Sequence, residues 1–201
     1  SPVSVTYVYS VSANGCSNPT TANVVVVVNP TPALSSSLAV STCSATTFNY
    51  AATSGTAGVS FSWSRAVVAG ISEAASSGLT GTIAETLTNL TNTPLVVAYS
   101  FVISANGCNN AENVLVTVNP TPVLSSTTSP AAICSGATFS YTATSAVGGV
   151  SYSWTRSAVA GISEAGSSGL VAGINETLTN TTSSPVVVTY AFVLSANGCA
   201  N

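Results

Sequence analysis

The stretch AYSFVISANGCNNAENVLVTVNP, from Ala98 to Pro120, contains two strand patterns on either side of a tight turn. In both patterns, β-branched or aromatic residues recur at every second position, and the residues between them are small and polar except for Val102 and Leu115. This is the two-residue period of a strand with one buried face. Asn106-Gly107 between two such runs favours a β-hairpin, since both residues tolerate positive φ angles. We therefore expect strands at Leu95–Ser104 and Glu112–Val118.

The end of the first of these strands recurs along the chain. The sequence SANGC ends at Cys16, Cys108 and Cys199. A longer segment, FSWSRAVVAGISEAASSGL (Phe61–Leu79), returns as YSWTRSAVAGISEAGSSGL (Tyr152–Leu170). Trp63 and Trp154 occupy the same position in the two copies and are 91 residues apart. The chain is therefore an array of repeats with this period.

The 91-residue period predicts three parts. Residues 1–28 are the C-terminal hairpin of a preceding repeat, residues 29–118 are a complete repeat, and residues 119–201 are a second repeat that lacks its last strand. The motif VNPTP, which begins at Val28 and again at Val118, contains two prolines and is typical of a short, stiff linker. We expect such linkers to hold successive repeats end to end.

The complete repeat is predicted to be an all-β, immunoglobulin-like sandwich. Besides the hairpin strands, its strand-like runs are Thr47–Thr53, Val59–Val67 and Thr82–Thr88, with a weaker first strand near Ala33–Leu38. No segment shows the period of about 3.6 residues that a helix with one apolar face requires. Roughly six or seven strands in about 90 residues, with Trp63 on a central strand, are typical of an immunoglobulin-like sandwich.

The composition excludes several classes of function. Only 3% of the 201 residues are charged, compared with roughly 25% in ordinary soluble domains. Arg65 and Arg156 are the only basic residues, too few for a nucleic-acid interface. The chain has no His or Asp, which rules out a Ser-His-Asp triad and a Cys-His pair. We therefore expect no enzyme activity and no cofactor.

Metal binding and membrane insertion are not expected either. Calcium loops depend on Asp, which is missing, and zinc sites depend on Cys spacings such as CxxC, which do not occur. The longest aliphatic run is Val24–Val28, far shorter than the roughly 18 residues of a membrane-spanning helix.

The arginines and two of the glutamates are expected to point toward the core. Arg65 shares a strand face with Phe61 and Trp63, because alternate residues of a strand point to the same side. Glu85 is placed in the same way between apolar neighbours two residues away on each side. An unpaired buried charge is very costly, so each charge needs a partner. The expected ion pairs are Arg65–Glu85 and Arg156–Glu176, with Glu73 and Glu164 as alternative partners.

Two of these features also have a functional interpretation. Trp63 and Trp154, if exposed, would be platforms for sugar rings, but a tryptophan on a central strand is the usual core element of a sandwich. Glu73 and Glu85 are of the residue type that forms an acid/base pair in glycoside hydrolysis. The core interpretation of both tryptophans is favoured, and an active site repeated along a structural array has little to recommend it.

The five cysteines follow from the repeat, since each unit carries two and the chain includes one extra. In an oxidising compartment outside the cytosol, regular cysteine spacing indicates disulfides. Three pairings respect the repeat: within units (Cys43–Cys108 and Cys134–Cys199), across the linkers (Cys16–Cys43 and Cys108–Cys134), or between units (Cys43–Cys199).

Geometry bears on this choice, because bridged Cα atoms lie within about 7 Å of each other. In a standard sandwich, the turn before the second strand and the turn after the sixth lie at opposite ends, which favours Cys43–Cys199 between stacked units. The within-unit pairing is simpler, because each domain then closes itself. The sequence leaves both pairings open, with free thiols as the remaining alternative.

Several motifs resemble, in the same order, those of the PKD-like repeat domain. They are CSGATFSYTATS from Cys134, SYSWTR from Ser151, INETLTNTTSSPVVVTY from Ile174, NGC from Asn197, and the linker VTVNPTP from Val116. That domain occurs in tandem in very large secreted surface proteins of Bacteroidetes-type bacteria, including gliding-motility adhesins. The resemblance covers essentially the whole chain. It implies an immunoglobulin-like β-sandwich, secretion to the cell surface, a role as stalk or adhesive fibre, and no catalytic residue.

The first repeat departs from this pattern in one place. It has CSAT from Cys43 where the pattern has CSG, which puts a glycine-dependent turn there in question.

Two functions fit these observations. The first is a structural stalk or filament segment of a giant bacterial cell-surface adhesin, with neighbouring repeats of the same chain and other copies in a fibre as partners. A neutral surface leaves little repulsion between such fibres. The alternative is a glycan- or surface-binding module, in which each repeat recognises polysaccharide or an abiotic surface through loops such as Ala69–Gly81. Aromatic side chains exposed on one face would favour binding, and aromatics confined to the core would favour the stalk.

The second repeat raises a separate question, because it has no counterpart of Glu112–Val118. Its sixth strand would then present an open apolar edge, which proteins usually cover. Either the chain continues and covers it, which is the interpretation that the sequence favours, or the hairpin at residues 1–28 of another copy does so.

Overall fold

The computed structural model describes all residues from Ser1 to Asn201 and contains strands but no helix. The predicted fold class, tandem immunoglobulin-like β-sandwich repeats, is confirmed. The strands are β1 Val3–Tyr9, β2 Ser12–Ala13, β3 Cys16–Ser17, β4 Ala22–Val28, β5 Ala39–Cys43, β6 Thr46–Ala51, β7 Ser60–Arg65, β8 Ser76–Gly78, β9 Thr82–Leu87, β10 Leu95–Ala105, β11 Cys108–Asn119, β12 Thr138–Thr142, β13 Ser151–Arg156, β14 Ser167–Gly169, β15 Gly173–Thr177, β16 Ala191–Ala196 and β17 Cys199–Ala200. Below, residues 1–28 are called the N-terminal hairpin, residues 29–118 unit 1 and residues 119–201 unit 2.

Unit 1 is a sandwich of two sheets. One has the strand order β5-β11-β10-β7-β8, and the other consists of β6 and β9. All pairings are antiparallel except that of β5 with β11, which is parallel. The core lies between the sheets, and its most completely buried side chains alternate along β10 and β11. Those with no exposed surface are Val97, Tyr99, Phe101, Ile103, Val114, Val116 and Val118.

The turn between β10 and β11 has the backbone that the Asn-Gly pair favours. Asn106 has φ 51° and Gly107 has φ 79°, which is the pattern of a type I′ turn that matches the twist of the flanking strands. The other two copies are nearly superimposable in these angles, with φ 49° and 79° at Asn14-Gly15 and 51° and 79° at Asn197-Gly198. The same dipeptide therefore closes the hairpin of every repeat.

The prediction of a first strand at Ala33–Leu38 is wrong. Those residues form no strand, and the first strand of unit 1 is β5, which begins at Ala39. Serine hydroxyl groups of this segment form hydrogen bonds instead. Ser36 Oγ lies 2.7 Å from Tyr50 Oη, and the Ser37 hydroxyl donates to Ala39 O, two residues further along the chain. Serine side chains that bond locally offer the backbone an alternative to a ladder.

Unit 2 keeps only part of this architecture. Its sheets are β14-β13-β16-β17 and β12-β15, so no strand corresponds to most of β11. Residues 130–134, one repeat after β5, and residues 186–190, one repeat after the start of β10, are not in strands. In unit 1, β11 lies between the counterparts of these two segments, and in unit 2 no strand lies between them. Tyr190 and Phe192 are half-buried, whereas their unit 1 counterparts Tyr99 and Phe101 are fully buried.

The N-terminal hairpin extends from the end of unit 1 that is opposite to unit 2. β1 pairs with β4 in an antiparallel register from Val3↔Val28 to Tyr9↔Ala22, and every residue of both strands is exposed. The hairpin approaches the turn of unit 1, where Asn29 Nδ2 donates to Asn106 O at 2.9 Å.

Candidate functional site: the buried ion pairs and the junction between units

The guanidinium of Arg65 lies inside unit 1 and is bound on two sides. Arg65 is 3% exposed, since it is on the core face of β7. Its Nε donates to Glu85 Oε2 at 2.9 Å, and its Nη2 donates to Ala74 O at 2.6 Å. Its charge also lies 6.0 Å from the centre of the Tyr99 ring. The residue thus connects β7, β9 and the loop before β8.

Glu85 accepts a second hydrogen bond, from the Tyr99 hydroxyl at 2.5 Å. Burial raises the pKa of Glu85, but the hydrogen bonds from Tyr99 and Arg65 and the charge of Arg65 outweigh burial and lower the pKa overall. Burial and the neighbouring carboxylate together raise the pKa of Tyr99. At neutral pH the site therefore holds a carboxylate, a guanidinium and a neutral phenol.

Unit 2 repeats the three hydrogen bonds of this arrangement. Arg156 Nε donates to Glu176 Oε2 at 2.9 Å, Arg156 Nη2 donates to Ala165 O at 2.5 Å, and the Tyr190 hydroxyl donates to Glu176 at 2.5 Å. Arg156 is 3% exposed, like Arg65. Each repeat thus has the same Arg-Glu-Tyr cluster, although unit 2 lacks a strand.

Glu73 and Glu164, the alternative partners of the arginines, have another role. Glu73 accepts from the backbone N–H of Thr88 at 2.8 Å, and Glu164 accepts from that of Thr179 at 2.8 Å. The N–H of Thr179, together with the Ser163 hydroxyl, lowers the pKa of Glu164 to about 2. Slight burial raises the pKa of Glu73, but hydrogen bonds from the Thr88 N–H and the Ser72 hydroxyl outweigh it and lower the pKa overall.

These carboxylates are poorly suited to general acid catalysis. A glycosidase acid needs a raised pKa so that it is protonated near neutral pH. Both members of the considered pair, Glu73 and Glu85, have lowered pKa values instead. The hydrogen bonds that Glu73 and Glu85 accept stabilise their ionised carboxylates and hold the neighbouring backbone in place.

Both tryptophans lie in the core. Trp63 is 9% exposed and Trp154 is 7% exposed. The Trp63 ring meets Tyr99 edge to face with 5.6 Å between ring centroids, and its Nε1 donates to Thr82 O at 3.2 Å. Opposite each indole lies a glycine, Gly78 in unit 1, where an added Cβ would be 2.7 Å from the ring.

Sequence reasoning missed two contributors to these sites. The alternation of its strand indicates only that Tyr99 faces the core, whereas its hydroxyl completes the carboxylate site. Asn89 is 8% exposed, and its Nδ2 donates to Thr93 O and Val118 O, each at 2.8 Å. The available signal was the repeated ETLTN segment, whose last residue is this asparagine.

The structure contains one disulfide, Cys43–Cys199, with 5.6 Å between the Cα atoms. It joins the end of β5 in unit 1 to the hairpin of unit 2, next to a hydrogen bond from Asn119 Nδ2 to Asn197 O at 3.3 Å. The remaining cysteines are free: Cys16, Cys108 and Cys134.

The within-unit pairing and the pairing across the linkers are therefore wrong. In the parallel register of β5 and β11, Cys43 lies beside Asn119, whereas Cys108 is at the opposite end of β11. Eleven residues of extended strand separate the two levels by about 36 Å. Stacking brings the turn of the following unit to Cys43 instead.

The model of the PKD-like domain matches residues 40–122 and 131–201, more than half of the chain. The chain thus belongs to the PKD-like domain family. No curated protein matches it. Domains with this immunoglobulin-like fold are typically non-catalytic and extracellular, and the family is consistent with a structural or adhesion-related module. The structure has no helix with the length and hydropathy that a membrane span requires.

Proposed function

We propose that this chain is a stalk segment of a giant bacterial cell-surface adhesin, in which tandem sandwiches hold an adhesive part away from the cell. The observation that carries the proposal is the junction between units 1 and 2. There the Cys43–Cys199 disulfide and the Asn119–Asn197 hydrogen bond attach one unit to the next, in addition to the peptide linker.

The junction contact recurs where the chain offers a second junction. Asn29 contacts the Asn106 turn as Asn119 contacts the Asn197 turn, with donor–acceptor distances of 2.9 and 3.3 Å. Repetition of one contact supports a regular end-to-end array. Each sandwich would add on the order of 35–40 Å to its length, from strands of about ten residues plus loops.

A secreted, surface-attached setting fits the chemistry of the chain. A disulfide between domains persists in an oxidising environment outside the cytosol. The resemblance to tandem repeats of Bacteroidetes-type surface proteins, including gliding-motility adhesins, supports the same setting. Low charge, with 3% charged residues, leaves little repulsion between neighbouring stalks.

The glycan-binding alternative receives no comparable support. In unit 1, the complete repeat, every Phe, Tyr and Trp is buried or half-buried, so its surface presents no exposed ring for stacking on a sugar. The loop Ala69–Gly81, which was the candidate recognition loop, contains no aromatic residue. The burial of the aromatic residues in the complete repeat favours the stalk.

The test is immunogold electron microscopy of intact source cells with an antibody raised against unit 1. We expect labels at regular intervals along thin filaments that project from the surface. Antibody that has been preincubated with the purified 201-residue chain is the control and should leave the filaments unlabelled. Diffuse label without filaments, or label only in released material, would contradict the proposal.

A further inference from the structure

The larger sheet of unit 1 exposes apolar side chains on its outer face, the side opposite the core. Val102 lies between the buried residues Phe101 and Ile103 of β10 and therefore points outward. Leu115 is placed in the same way on β11. These two side chains are 43% and 44% exposed, and Val96 at the start of β10 is 56% exposed. Apolar surface that is gathered on one face in this way marks an interaction surface.

The outer face carries no charge. Apart from the disulfide-bonded Cys43, the outward positions of β5, β7, β10 and β11 hold only Ser, Ala, Thr, Asn, Val and Leu. The two charged residues of these strands, Arg65 and Glu112, lie on the other side of the sheet, opposite Tyr99 and Phe101. Burial of an unpaired charge is costly, and contact between two neutral faces avoids that cost. The face therefore suits an uncharged partner.

The outward side chains form three rows that cross the strands. A row of hydroxyl and amide side chains separates two rows that contain the large apolar ones. The rows are Ser62, Val102 and Ala111; Ser64, Ser100 and Asn113; and Ala98, Leu115 and Ala39. The first two begin on β7, and the third begins on β10, because β7 ends before it reaches that row.

This pattern is complementary to itself. When two outer faces meet about a two-fold axis that runs along β10, Val102 lies against Val102 and Ala98 against Ala98. Each serine of β7 lies against a small or polar residue of β11. Leu115 lies against the open position beyond the end of β7. The only large side chains that oppose each other are therefore the two copies of Val102, so the occupant that the face fits is a second copy of the chain.

The area of the face determines how strong such a contact is. Five strands about 4.8 Å apart, with ladders of about six residues, give the face an area of about 480 Å². Two faces together bury about 960 Å², close to the roughly 1,000 Å² that a specific interface needs. The contact of one repeat is therefore weak.

Tandem repeats strengthen a weak contact, because a second contact on the same chain forms at a high effective concentration. Unit 2 presents part of the same pattern. Ser153 pairs with Val193 as Ser62 pairs with Val102, and Val193 is 50% exposed.

We propose that two copies of this chain associate side by side, parallel and in register, through the outer faces of their larger sheets. The two sheets pack about 10 Å apart, as the layers of a sandwich do. Because the axis runs along the strands, both copies point in the same direction, as stalks on one cell do. The contact uses the same surface of both copies and closes as a pair. The inference rests on the proposed function, since it names a second copy as the lateral partner of the stalk.

The smaller sheet of unit 1 provides the control surface. Its outward residues are exposed and include no large apolar side chain; they are Thr47, Asn49, Ala51, Thr82, Ala84 and Thr86. Thr47 and Ala51 on β6 have the same spacing as Ala98 and Val102 on β10. Glutamate at either pair of positions adds the same charge at an exposed strand position.

The first test measures the mass of the purified 201-residue chain by light scattering at concentrations up to about 1 mM. The background is C16S/C108S/C134S, which keeps the Cys43–Cys199 disulfide and removes the free thiols. We expect the mass to rise with concentration from 19.8 kDa toward twice that value. A98E/V102E should remain monomeric, and T47E/A51E should associate like the background.

An unchanged circular dichroism spectrum and thermal midpoint check that both double variants fold. A background chain that is monomeric at every concentration would overturn the proposal. Equal association of the two double variants would do the same, because it would place the contact elsewhere on the chain.

The second test reports the direction of the two copies by cysteine crosslinking in the same background. V102C lies on the two-fold axis, so oxidation should yield a covalent dimer on a non-reducing gel, whereas A51C should yield none. In an antiparallel pair, Val102 would lie against Ala98, and the two introduced thiols would be about 13 Å apart along the strands. Crosslinking of S100C without crosslinking of V102C would therefore overturn the parallel register.

Failure of this inference is distinguishable from failure of the stalk function. A monomeric chain, with labelled filaments on cells, would remove lateral pairing and leave the stalk. Pairing in solution, with no labelled filaments on cells, would remove the stalk and leave the pairing.

Discussion

Arg65 and Arg156 are the only basic side chains of the protein, and both are buried against a glutamate. A buried pair of this kind specifies the position of strands more than it adds net stability, but loss of one partner leaves an uncompensated charge. Arginine suits the site better than lysine because its planar fork serves Glu85 and Ala74 O at the same time. The cluster therefore fixes β7 against β9 and against the loop before β8.

The two clusters predict an acid-sensitive stability. The folded-state pKa values of Glu85 and Glu176 are lowered, so the stabilisation is present above the unfolded pKa of about 4.3 and is lost as the pH falls through the folded value. We expect the thermal midpoint to be flat near neutrality and to fall below about pH 4.3, measured by circular dichroism. On the alkaline side, the raised pKa of Tyr99 means that its contribution is complete below the unfolded pKa of about 10 and is lost as the pH rises through the higher folded value.

A pair of variants separates this effect from general acid denaturation. E85A, which leaves the buried guanidinium unpaired, should destabilise unit 1 by about 3 kcal/mol at pH 7. The double variant E85Q/E176Q removes both titrating groups and should show a shallower loss of the midpoint on acidification. An acid slope equal to that of the wild type would assign the acid sensitivity to other carboxylates, such as Glu73 and Glu164.

A second residue-scale prediction concerns the glycine that faces the core tryptophan. Gly78 pairs with Trp63 across β7 and β8, and a Cβ there would lie 2.7 Å from indole atoms. G78A should therefore destabilise unit 1 by about 1–3 kcal/mol through overpacking, measured by chemical denaturation. G55A is the matched control, since a Cβ at Gly55 meets nothing within 4 Å. Equal stability of the two variants would show that the indole moves aside freely.

At the scale of single elements, the turn between β5 and β6 differs between the repeats. Unit 1 has Ala45 at φ 60°, where unit 2 has Gly136 at φ 81°. The turn therefore forms without glycine, although the sequence had put it in question. A left-handed conformation costs a non-glycine residue about 1–2 kcal/mol. Glycine avoids this cost but loses more conformational freedom on folding, so its net advantage is smaller.

The difference predicts opposite effects of two exchanges. A45G should stabilise unit 1 by about 0.5–1 kcal/mol, and G136A should destabilise unit 2 by a similar amount. Denaturant titration of each variant, compared with the wild type, measures both. Changes of the same sign would mean that side-chain contacts of Ala45, and not its backbone angle, decide the outcome.

The strands that the sequence predicted are those whose pattern is local. β6, β7, β9, β10 and most of β11 have alternation or a flanking turn that is visible in the sequence. β5 was not predicted, because a short parallel strand exists only where β11 lies beside it. Unit 2 illustrates this dependence: residues 130–134 form no strand where that neighbour is absent. Such elements depend on tertiary pairing and carry no local signal.

At the scale of the whole molecule, the repeat predicted the array, and the faces of two strands suggested Arg65–Glu85, whose side chains lie 2.9 Å apart. The connectivity of the cysteines stayed open because spacing along the chain is the same for several pairings. What decides it is which strand ends meet, and this depends on the parallel register of β5 with β11 and on the stacking of units. Neither property is encoded in the neighbourhood of a cysteine.

The disulfide also determines how a pulling force travels through the protein. Cys43 and Cys199 are separated by 156 positions in the sequence, yet a force applied at Asn29 and Asn201 passes directly from one sulfur to the other. Residues 44–198 then carry no tension. Single-molecule stretching should show no extension from these residues in the oxidised protein. Reduction should release about 530 Å of contour length, from 156 residues at roughly 3.4 Å each.

The double variant C43S/C199S should behave like the reduced protein, and C16S should behave like the oxidised wild type. Release of the full length without reduction would show that the bridge does not bear the force.

Tensile strength is thereby separated from folding. Unfolding of either sandwich between residues 44 and 198, or cleavage of the backbone at one place there, leaves both ends of the segment joined through two sulfur atoms. The domains set the spacing and stiffness of the segment, while its continuity under strain depends on a short covalent path that bypasses nearly all of their residues.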